Sequence, residues 1–389
     1  MNTKILKINK TPWHSWCTGN IAKGCAYCVQ GRKLVLFITG LCPQRCFYCP
    51  VGEQKFGNDV VYANEWKLED PNNPIELIKE AELTQAKGAG ITGGDPLTNL
   101  DRCCNYIKLL KDKFGKRFHI HLYTPLKLVS KEKLQQLYNT GLDEIRFHPD
   151  LDDDSLWNRI EIAKQFNWNI GIEIPAIPGY EKKTMKLIDY IADKVSFINL
   201  NELELSDTGT KHYTLPLKGF KTKDNISYGV KGSKEMAMKI LEYTRQKGLA
   251  AHFCTAKLKD SVQIRKRLQI RAKNVALPFD ERTEDGTLLR CCIYLKELAP
   301  GFNYKEKLKN ADRNYLLEKL IIVRKELLEF LTLTEKEIIV DINKCRLIIP
   351  RSSAKQYADK IKKYNSNLIP ALVEEYPTQD GFEVEIEFL

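Results

Sequence analysis

The sequence predicts an α/β protein whose core contains six β/α units. From Lys33 onward, short apolar, β-branched segments alternate with longer amphipathic segments, which is typical of parallel strands joined by crossover helices. The amphipathic segments carry apolar residues at three- and four-residue spacing, as helices packed on a sheet do. Six such units fit an open, partial barrel about as well as a flat doubly wound sheet. In both architectures the chemistry lies at the carboxyl ends of the strands.

Each predicted element follows from its local pattern. The predicted strands cover residues 34–39, 89–92, 118–123, 144–148, 170–174 and 196–200. The predicted crossover helices lie within residues 74–87, 100–114, 131–139, 154–166 and 182–194.

We divide the chain into four parts. A cysteine-rich lead (1–32) precedes the β/α core (33–207). A polar, Gly- and Lys-rich stretch then opens a linker and accessory region (208–302). The last part (303–389) starts with an amphipathic helix at 315–331 and continues as strand, strand, helix, strand. It is predicted to be a small α+β module.

Composition places the chain among ordinary globular proteins. Its 389 residues are 43% apolar, enough for about two or three domains with buried cores. Residues 1–11 lack the apolar core and cleavage site of a signal peptide, and no apolar run approaches a membrane span. We therefore expect a cytoplasmic protein without a membrane span.

Twelve cysteines are many for a reducing compartment, where clustered thiols more often bind metals or do chemistry than form disulfides. Six of them lie between Cys17 and Cys49. Cys254 is considered below with the first group. The remaining five are interpreted as buried small hydrophobic residues: Cys103, Cys104, Cys291, Cys292 and Cys345.

The most informative motif is Cys42-x3-Cys46-x2-Cys49, which directly follows the first strand. Three thiolates in one loop can hold three corners of a 4Fe-4S cluster and leave the fourth iron open. An open iron can bind the amino and carboxylate groups of S-adenosylmethionine (SAM) and pass an electron to its sulfonium. The alternative is a structural zinc site on the same residues.

A glycine motif, Thr92-Gly93-Gly94-Asp95, ends the second strand. Two glycines let the backbone approach a ligand closely and present carbonyls to an ammonium group. A plain turn between strand and helix also uses this pair. Its position one β/α unit after the cysteine loop favours ligand binding.

Polar residues alternate along the third and fourth strands. His119, His121 and Tyr123 share one side, and Arg146 and His148 do the same on the next strand. We expect this side to face the barrel lumen, with His119, His121, Arg146 and His148 holding the substrate as catalytic residues. The alternative is that they are satisfied groups of the core.

A second metal site is suggested by Cys17-x7-Cys25-x2-Cys28 in the lead, because two thiolates at x2 spacing can bind one metal. His252 and Cys254 are the candidate partners from farther along the chain. Zinc is favoured over an auxiliary iron-sulfur cluster. The alternative is a set of thiols without a metal.

The chain carries 61 basic and 50 acidic side chains, a net charge of +11 that permits an anionic partner. Part of this excess of basic residues falls in residues 257–273. We interpret this stretch either as a solvated helix face or as a contact surface for RNA phosphates. The basic residues there are Lys257, Lys259, Arg265, Lys266, Arg267, Arg271 and Lys273.

Several motifs are missing from the sequence. It contains no P-loop, no Gly-x-Gly-x-x-Gly after the first strand, no His-Glu-x-x-His and no Gly-x-Ser-x-Gly. These absences argue against nucleotide hydrolysis and serine hydrolysis.

The cysteine loop and the glycine motif resemble those of the radical SAM superfamily, and more particularly of archaeal proteins related to pyruvate formate-lyase activating enzyme. The resemblance covers roughly residues 33–207. It implies a partial (β/α)6 barrel in which Cys42, Cys46 and Cys49 hold a 4Fe-4S cluster.

The resemblance also implies how SAM is bound. It places Tyr48 near the adenine and the backbone of Thr92, Gly93 and Gly94 near the amino group of SAM. Asp95 stands where the superfamily usually has Glu and is shorter by one methylene, so more of that contact would fall to the backbone. By position, the resemblance also suggests Glu173 and Asn201 as ligands of the ribose, methionine carboxylate or adenine.

These inferences predict a radical SAM enzyme, an oxidoreductase or transferase, that cleaves SAM reductively to a 5'-deoxyadenosyl radical. An electron donor such as ferredoxin or flavodoxin is implied. The charge pattern favours an RNA base as substrate. The alternatives are a small metabolite or lipid precursor, and glycyl-radical activation of a partner protein. A hypothesis from a different functional class is a non-catalytic RNA-binding module held together by a bound metal.

Overall fold

The computed structural model describes residues 6–389 and divides the chain into two compact units. Unit 1 is Met1–Lys266 and unit 2 is Arg267–Leu389. The boundary therefore lies far beyond residue 207, where the predicted β/α core ends.

Unit 1 is built on one mixed sheet. Within the described residues its strands are β1 (Ile8–Lys10), β2 (Trp16–Thr18), β3 (Lys33–Phe37), β4 (Tyr62–Ala63), β5 (Trp66–Lys67), β6 (Gly88–Thr92), β7 (His119–Pro125), β8 (Glu144–His148), β9 (Asn169–Ala176), β10 (Phe197–Glu202) and β11 (Ala250–Cys254). They lie in the order β1-β2-β11-β10-β9-β8-β7-β6-β3-β4-β5. The seven strands from β11 to β3 are parallel, and an antiparallel pair continues the sheet at each edge.

Helices connect the parallel strands. The helices of unit 1 and its boundary are α1 (Lys23–Cys28), α2 (Ile75–Leu83), α3 (Leu100–Phe114), α4 (Lys131–Asn139), α5 (Glu181–Ile191), α6 (Ser233–Gln246), α7 (Ala256–Leu258) and α8 (Arg265–Val275). A π-helical segment, Lys259–Ile264, separates α7 from α8, and one crossover is a 3₁₀ helix, Trp157–Gln165. Among residues 6–389, no helix has both the length and the apolar composition to cross a membrane.

The predicted fold class is confirmed, but the number of β/α units is not. The expected six parallel strands are present, and β11 is a seventh, paired with β10 from Phe197↔Ala250 to Asn201↔Cys254. Its crossover helix is α6. This unit was predicted to belong to an accessory region. The polar stretch that begins at residue 208 interrupts the β/α alternation and separates this unit from the others. The sheet remains open, since β3 and β11 do not pair.

The cysteine-rich lead belongs to unit 1. Strand β2 pairs with β11 and sets Cys17 opposite His252, and α1 packs against β3, β6 and β7. Gly24 allows this approach, since a Cβ there would lie 2.4 Å from Nδ1 of His121 and 2.8 Å from Nη2 of Arg146. Helix α1 therefore occupies the interior of the open barrel.

Unit 2 is an antiparallel sheet with helices. Its strands are β12 (Glu281–Arg282), β13 (Leu288–Leu295), β14 (Ile339–Asp341), β15 (Arg346–Ile349), β16 (Leu368–Glu375) and β17 (Glu383–Phe388), and its further helices are α9 (Tyr304–Asn310), α10 (Arg313–Leu331) and α11 (Arg351–Tyr364). The strands lie in the order β14-β15-β13-β16-β17, and β12 pairs with β13. Strands of this sheet that were not predicted from the sequence include β13, which falls in the expected linker region (208–302), and β16, which contains Pro370, a residue that interior strands usually avoid.

A buried ion pair lies in the core of unit 2. Arg346 donates to both carboxylate oxygens of Glu375 at 2.6 and 2.9 Å, and also to Asp341 and the hydroxyl of Tyr294. Arg346 and Glu375 are both 0% exposed. Burial by itself would raise the pKa of Glu375, but Arg346 outweighs it and lowers that pKa to about 2. This carboxylate therefore stabilises unit 2 above its unfolded-state pKa, and the contribution is lost as the pH falls toward 2.

We predict that Arg346→Met lowers the free energy of unfolding of unit 2 by about 3 kcal/mol, because it removes the main partner of the buried Glu375 carboxylate and leaves it only Arg290 and Lys344. Urea denaturation of the full chain, followed by far-UV circular dichroism, measures this change. Arg351→Gln is the control. It removes a half-exposed ion pair with Glu281 and should cost less than about 1 kcal/mol. Equal effects of the two substitutions would contradict the account.

Candidate active site

A cavity of about 900 Å³ opens at the carboxyl ends of the parallel strands. It is lined by most of the residues that the sequence analysis selected for the cluster, SAM and the substrate. These are Cys42, Cys46, Tyr48, Cys49, Thr92, Gly93, Gly94, His121, His148, Glu173 and Asn201. Residues from six different strands or the loops after them therefore meet in one space.

The cysteine loop is fixed to the glycine motif by backbone hydrogen bonds. The amide of Gly94 donates to the carbonyl of Thr39, and the amide of Asp95 donates to the carbonyl of Leu41, both at 2.8 Å. Leu41 directly precedes the first cysteine of the loop. The position of the cysteine loop is thus set by the end of the neighbouring strand.

The two glycines are required by this close approach. A Cβ on Gly94 would lie 2.4 Å from the carbonyl oxygen of Leu41 and 2.9 Å from Cβ of Cys42. A Cβ on Gly93 would lie 2.4 Å from the carbonyl oxygen of Thr39. The glycine motif therefore does two things: it exposes backbone to the cavity, and it gives the cysteine loop room to pack.

Asp95 lies behind the glycine motif and does not line the cavity, contrary to its expected contact with SAM. One carboxylate oxygen accepts hydrogen bonds from the amide of Leu97 at 3.0 Å and the hydroxyl of Thr124 at 2.8 Å. Asp95 thereby caps the 3₁₀ helix Pro96–Asn99. Burial raises the pKa of Asp95 to about 6. The structure gives this residue a positioning role.

Tyr48 is tied to the opposite wall of the cavity. Its hydroxyl lies 2.9 Å from Nε2 of His148, and Nδ1 of His148 lies 2.7 Å from the carbonyl oxygen of Glu173. Because a carbonyl can only accept, Nδ1 carries the proton and the Tyr48 hydroxyl donates to Nε2. Burial lowers the pKa of His148, which keeps the ring neutral. His148 thus positions the cysteine loop through Tyr48.

Glu173 presents a charged carboxylate to the cavity. Arg146 and Asn199 donate to one of its oxygens at 2.9 and 2.8 Å, and Asn201 donates to the other at 2.8 Å. Burial would raise the pKa of Glu173, but Arg146 and the two amides outweigh it and leave the pKa below its usual value. This carboxylate therefore stays ionised at neutral pH.

The four predicted catalytic residues separate into two groups. His121 and His148 line the cavity, whereas His119 and Arg146 lie behind its wall. Arg146 donates to Glu144 as well as to Glu173, so it is an internal partner of carboxylates. Burial, assisted by Lys33, lowers the pKa of His119 to about 2. The sequence pattern gave the correct face of the strands but could not show that α1 covers part of it.

The cavity also contains residues that were not predicted to lie there. Lys33, at the start of β3, lines the cavity and lies 3.3 Å from Nδ1 of His119. Lys259 lines the cavity as well and pairs with Glu204 at 2.5 Å. Lys33 could have been identified from the sequence, because it is a lysine at the start of a predicted buried strand. No local pattern pointed to Glu204.

The end of the predicted β/α core and the start of the predicted linker form a wall of the cavity. Residues 203–207 and Tyr228 line it. The same stretch is fixed to the cysteine loop, since the amide of Thr214 donates to the carbonyl of Phe47 at 2.9 Å and the hydroxyl of Thr208 donates to that of Val51 at 3.3 Å. This segment, residues 203–230, is therefore an ordered part of the site. We call it the cover segment.

The structure does not bring the five predicted ligands of the second metal site together. Cys25, Cys28 and Cys254 are near enough to influence one another electrostatically, whereas Nε2 of His252 is 3.0 Å from the hydroxyl of Ser15. In the part of the chain that the structure describes, no three His, Cys, Asp or Glu side chains are arranged to hold one metal ion. The same is true of the three cysteines of the 42–49 loop.

The basic stretch does not form one exposed face. Arg267 and Arg271 are only 8% and 4% exposed. Lys259 is paired with Glu204, and Lys266 donates to the carbonyl of Val29 at 3.0 Å. The exposed members are Lys257, Arg265 and Lys273. The interpretation as a contact surface for RNA loses most of its support.

Comparison with known proteins assigns the family. The sequence matches the model of the radical SAM superfamily over residues 36–191. A protein of Methanocaldococcus jannaschii, named provisionally as a glycyl-radical enzyme activating enzyme, is 37% identical over 381 residues, which cover 94% of this chain and 92% of that protein. This chain belongs to the radical SAM superfamily. It is an enzyme of that class, which uses a 4Fe-4S cluster and SAM.

Other relatives are more distant. The GTP 3',8-cyclase of Staphylococcus aureus is 26% identical over 193 residues, which cover 46% of this chain and 55% of the cyclase. Among solved structures, methylornithine synthase aligns with 59% of this chain and 74% of its own at 13% identity, with a TM-score of 0.36. That score is too low to carry an argument about this protein.

We predict that Gly94→Ala removes most of the iron that the 42–49 loop retains, because the added Cβ forces the loop away from the glycine motif. Overpacking of this kind typically costs about 1–3 kcal/mol. The measurement is iron content after anaerobic reconstitution and gel filtration. Gly52→Ala is the control, since a Cβ there meets nothing within 4 Å. Normal iron content in Gly94→Ala would contradict the conclusion that the cysteine loop needs a glycine at position 94 in order to pack.

Proposed function

We propose that this protein cleaves SAM reductively at a cluster on Cys42, Cys46 and Cys49 and removes a hydrogen atom from a substrate bound in the same cavity. One observation carries the proposal: the three thiols line one cavity together with Gly93 and Gly94. When bound there, the cluster and SAM supply a 5'-deoxyadenosyl radical.

The residues of the cavity suit this chemistry. Three thiolates can hold three irons, and the exposed backbone at Gly93 and Gly94 can accept hydrogen bonds from the amino group of SAM. The ionised carboxylate of Glu173, already oriented by Asn201, can accept hydrogen bonds from ribose hydroxyls. Tyr48, held by His148, offers a ring against which an adenine can pack.

For the substrate we propose a glycine residue of a partner protein, which becomes a glycyl radical. The support is a relative similar over nearly its whole length whose provisional name states this activity. The cover segment also exposes large apolar side chains: Leu217 is 86%, Ile226 is 95% and Tyr228 is 65% exposed. Exposed apolar side chains at the edge of a cavity suit contact with another protein.

A small polar molecule is the second candidate substrate. The observation that favours it is the charge within the cavity: Lys33 and the Lys259–Glu204 pair both line it. A glycine residue in a peptide carries no charge for these groups to bind. An RNA base, which the sequence favoured, ranks below both, because Arg267 and Arg271 are buried.

The test uses the reduced full-length protein, SAM and a synthetic glycine-containing peptide deuterated at the glycine α-carbon. We expect 5'-deoxyadenosine that carries one deuterium, because the radical takes its hydrogen atom from that carbon. Mass spectrometry of the nucleoside measures the transfer. Cys46→Ala should form no 5'-deoxyadenosine, whereas Cys104→Ala, outside the cavity, should form normal amounts.

The possible results separate the two parts of the proposal. If the wild-type protein forms no 5'-deoxyadenosine with any reductant, reductive cleavage of SAM is wrong. If it forms only unlabelled 5'-deoxyadenosine with the peptide, the glycine substrate is wrong and the small polar molecule becomes the preferred candidate.

A further inference from the structure

We propose that Cys25, Cys28 and Cys254 bind a second iron-sulfur cluster in the interior of unit 1. These thiols are separate from the cysteine loop at 42–49, and nothing in the proposed reaction uses them. They come from α1 and from the end of β11, two elements far apart in the sequence.

Packing brings the three thiols together. Cys25 and Cys28 lie one helical turn apart on α1. Val29, the next residue, packs with Leu258 and Val262, and Cys254 packs against the same apolar group. Helix α1 also contacts β3. Helix α1 therefore lies between β3 and the segment that follows β11, and the three thiols lie in this region.

The surroundings of the thiols are polar and contain charges of both signs. Arg146 influences Cys25, Lys33 influences Cys28 and Lys259 influences Cys254, while Glu173 influences all three thiols. A cluster held by thiolates carries negative charge, and buried charge is tolerated only with nearby compensation.

Existing hydrogen bonds also suit thiolate sulfur. The side-chain amide of Asn199 donates to Sγ of Cys25 at 3.2 Å, and the amide of Gln263 lies 3.8 Å from Sγ of Cys254. Hydrogen bonds to sulfur are one of the ways in which proteins tune iron-sulfur clusters. Cys28 and Lys259 also line the cavity, so the cluster would lie next to the substrate space.

The number of ligands favours a cluster over zinc. A structural zinc site is closed by four ligands, and His252, one of the two other predicted ligands, is hydrogen bonded to Ser15. Three thiolates suffice for a cubane that keeps one iron open, as proposed for Cys42, Cys46 and Cys49. The cluster replaces the zinc that the sequence favoured.

The test compares two triple variants after anaerobic reconstitution with iron and sulfide. Wild-type protein should bind about eight irons per chain, and the variant with Cys42, Cys46 and Cys49 changed to alanine should keep about four. This variant leaves the proposed ligands untouched. Its reduced form should still give the electron paramagnetic resonance spectrum of an iron-sulfur cluster.

The second variant carries Cys25→Ser, Cys28→Ser and Cys254→Ser. It should lose about half of the iron and still bind the first cluster. Cys104→Ser is the control and should keep all of it. The proposal is overturned if the alanine variant binds no iron and sulfide, or if it binds one zinc per chain. Loss of 5'-deoxyadenosine formation with all iron retained would count against the proposed reaction instead.

Discussion

The site depends on the contact between two stretches of backbone, the end of the glycine motif and the start of the cysteine loop. Gly93 and Gly94 lie so close to Thr39, Leu41 and Cys42 that neither position has room for a side chain. Two amide-to-carbonyl hydrogen bonds hold the stretches in register. A loop with three cysteines has many possible conformations, and this contact fixes the position of its first residues. The order of the loop therefore comes from the neighbouring strand.

Beyond this contact, the interior of the barrel is organised by pairing charges and by keeping imidazoles neutral. Arg146 connects the carboxylates of Glu144 and Glu173, and Asn201 completes the hydrogen bonds of Glu173. His148, neutral because of its burial, connects Tyr48 to the backbone at Glu173. The wall opposite the cysteines is thus a polar surface in which the ionised carboxylate of Glu173 faces the cavity. Such preorganisation lets a bound cofactor be oriented without rearrangement of the protein.

Local sequence patterns were sufficient for some of these features. The cysteine spacing and the alternation of apolar strands and amphipathic helices identified the fold class and the cysteine loop, because both depend on neighbours in the chain. The pattern also placed His121 and His148 on the correct face. It failed where distant segments meet. The insertion of α1, permitted by Gly24, helps to cover Arg146 and His119.

The missed seventh unit has a similar cause. A long polar insertion before α6 interrupts the β/α pattern of the sequence. The helix and strand that follow the insertion nevertheless match the earlier units. Asp95 shows another limit: its sequence position matched a ligand, but its side chain turned to cap the next helix. Because the Asp side chain is one methylene shorter than that of Glu, its carboxylate can accept a hydrogen bond from a free amide at a helix terminus instead of reaching into the cavity.

The central claim is that the three thiolates at positions 42, 46 and 49 leave one iron free for SAM. The most direct measurement is the electron paramagnetic resonance spectrum of the reduced, anaerobically prepared protein before and after SAM is added. Binding of the methionine amino and carboxylate groups to that iron predicts a clear change in the g-values of the signal. An unchanged spectrum at saturating SAM, or zinc in place of iron in that loop, would contradict the account.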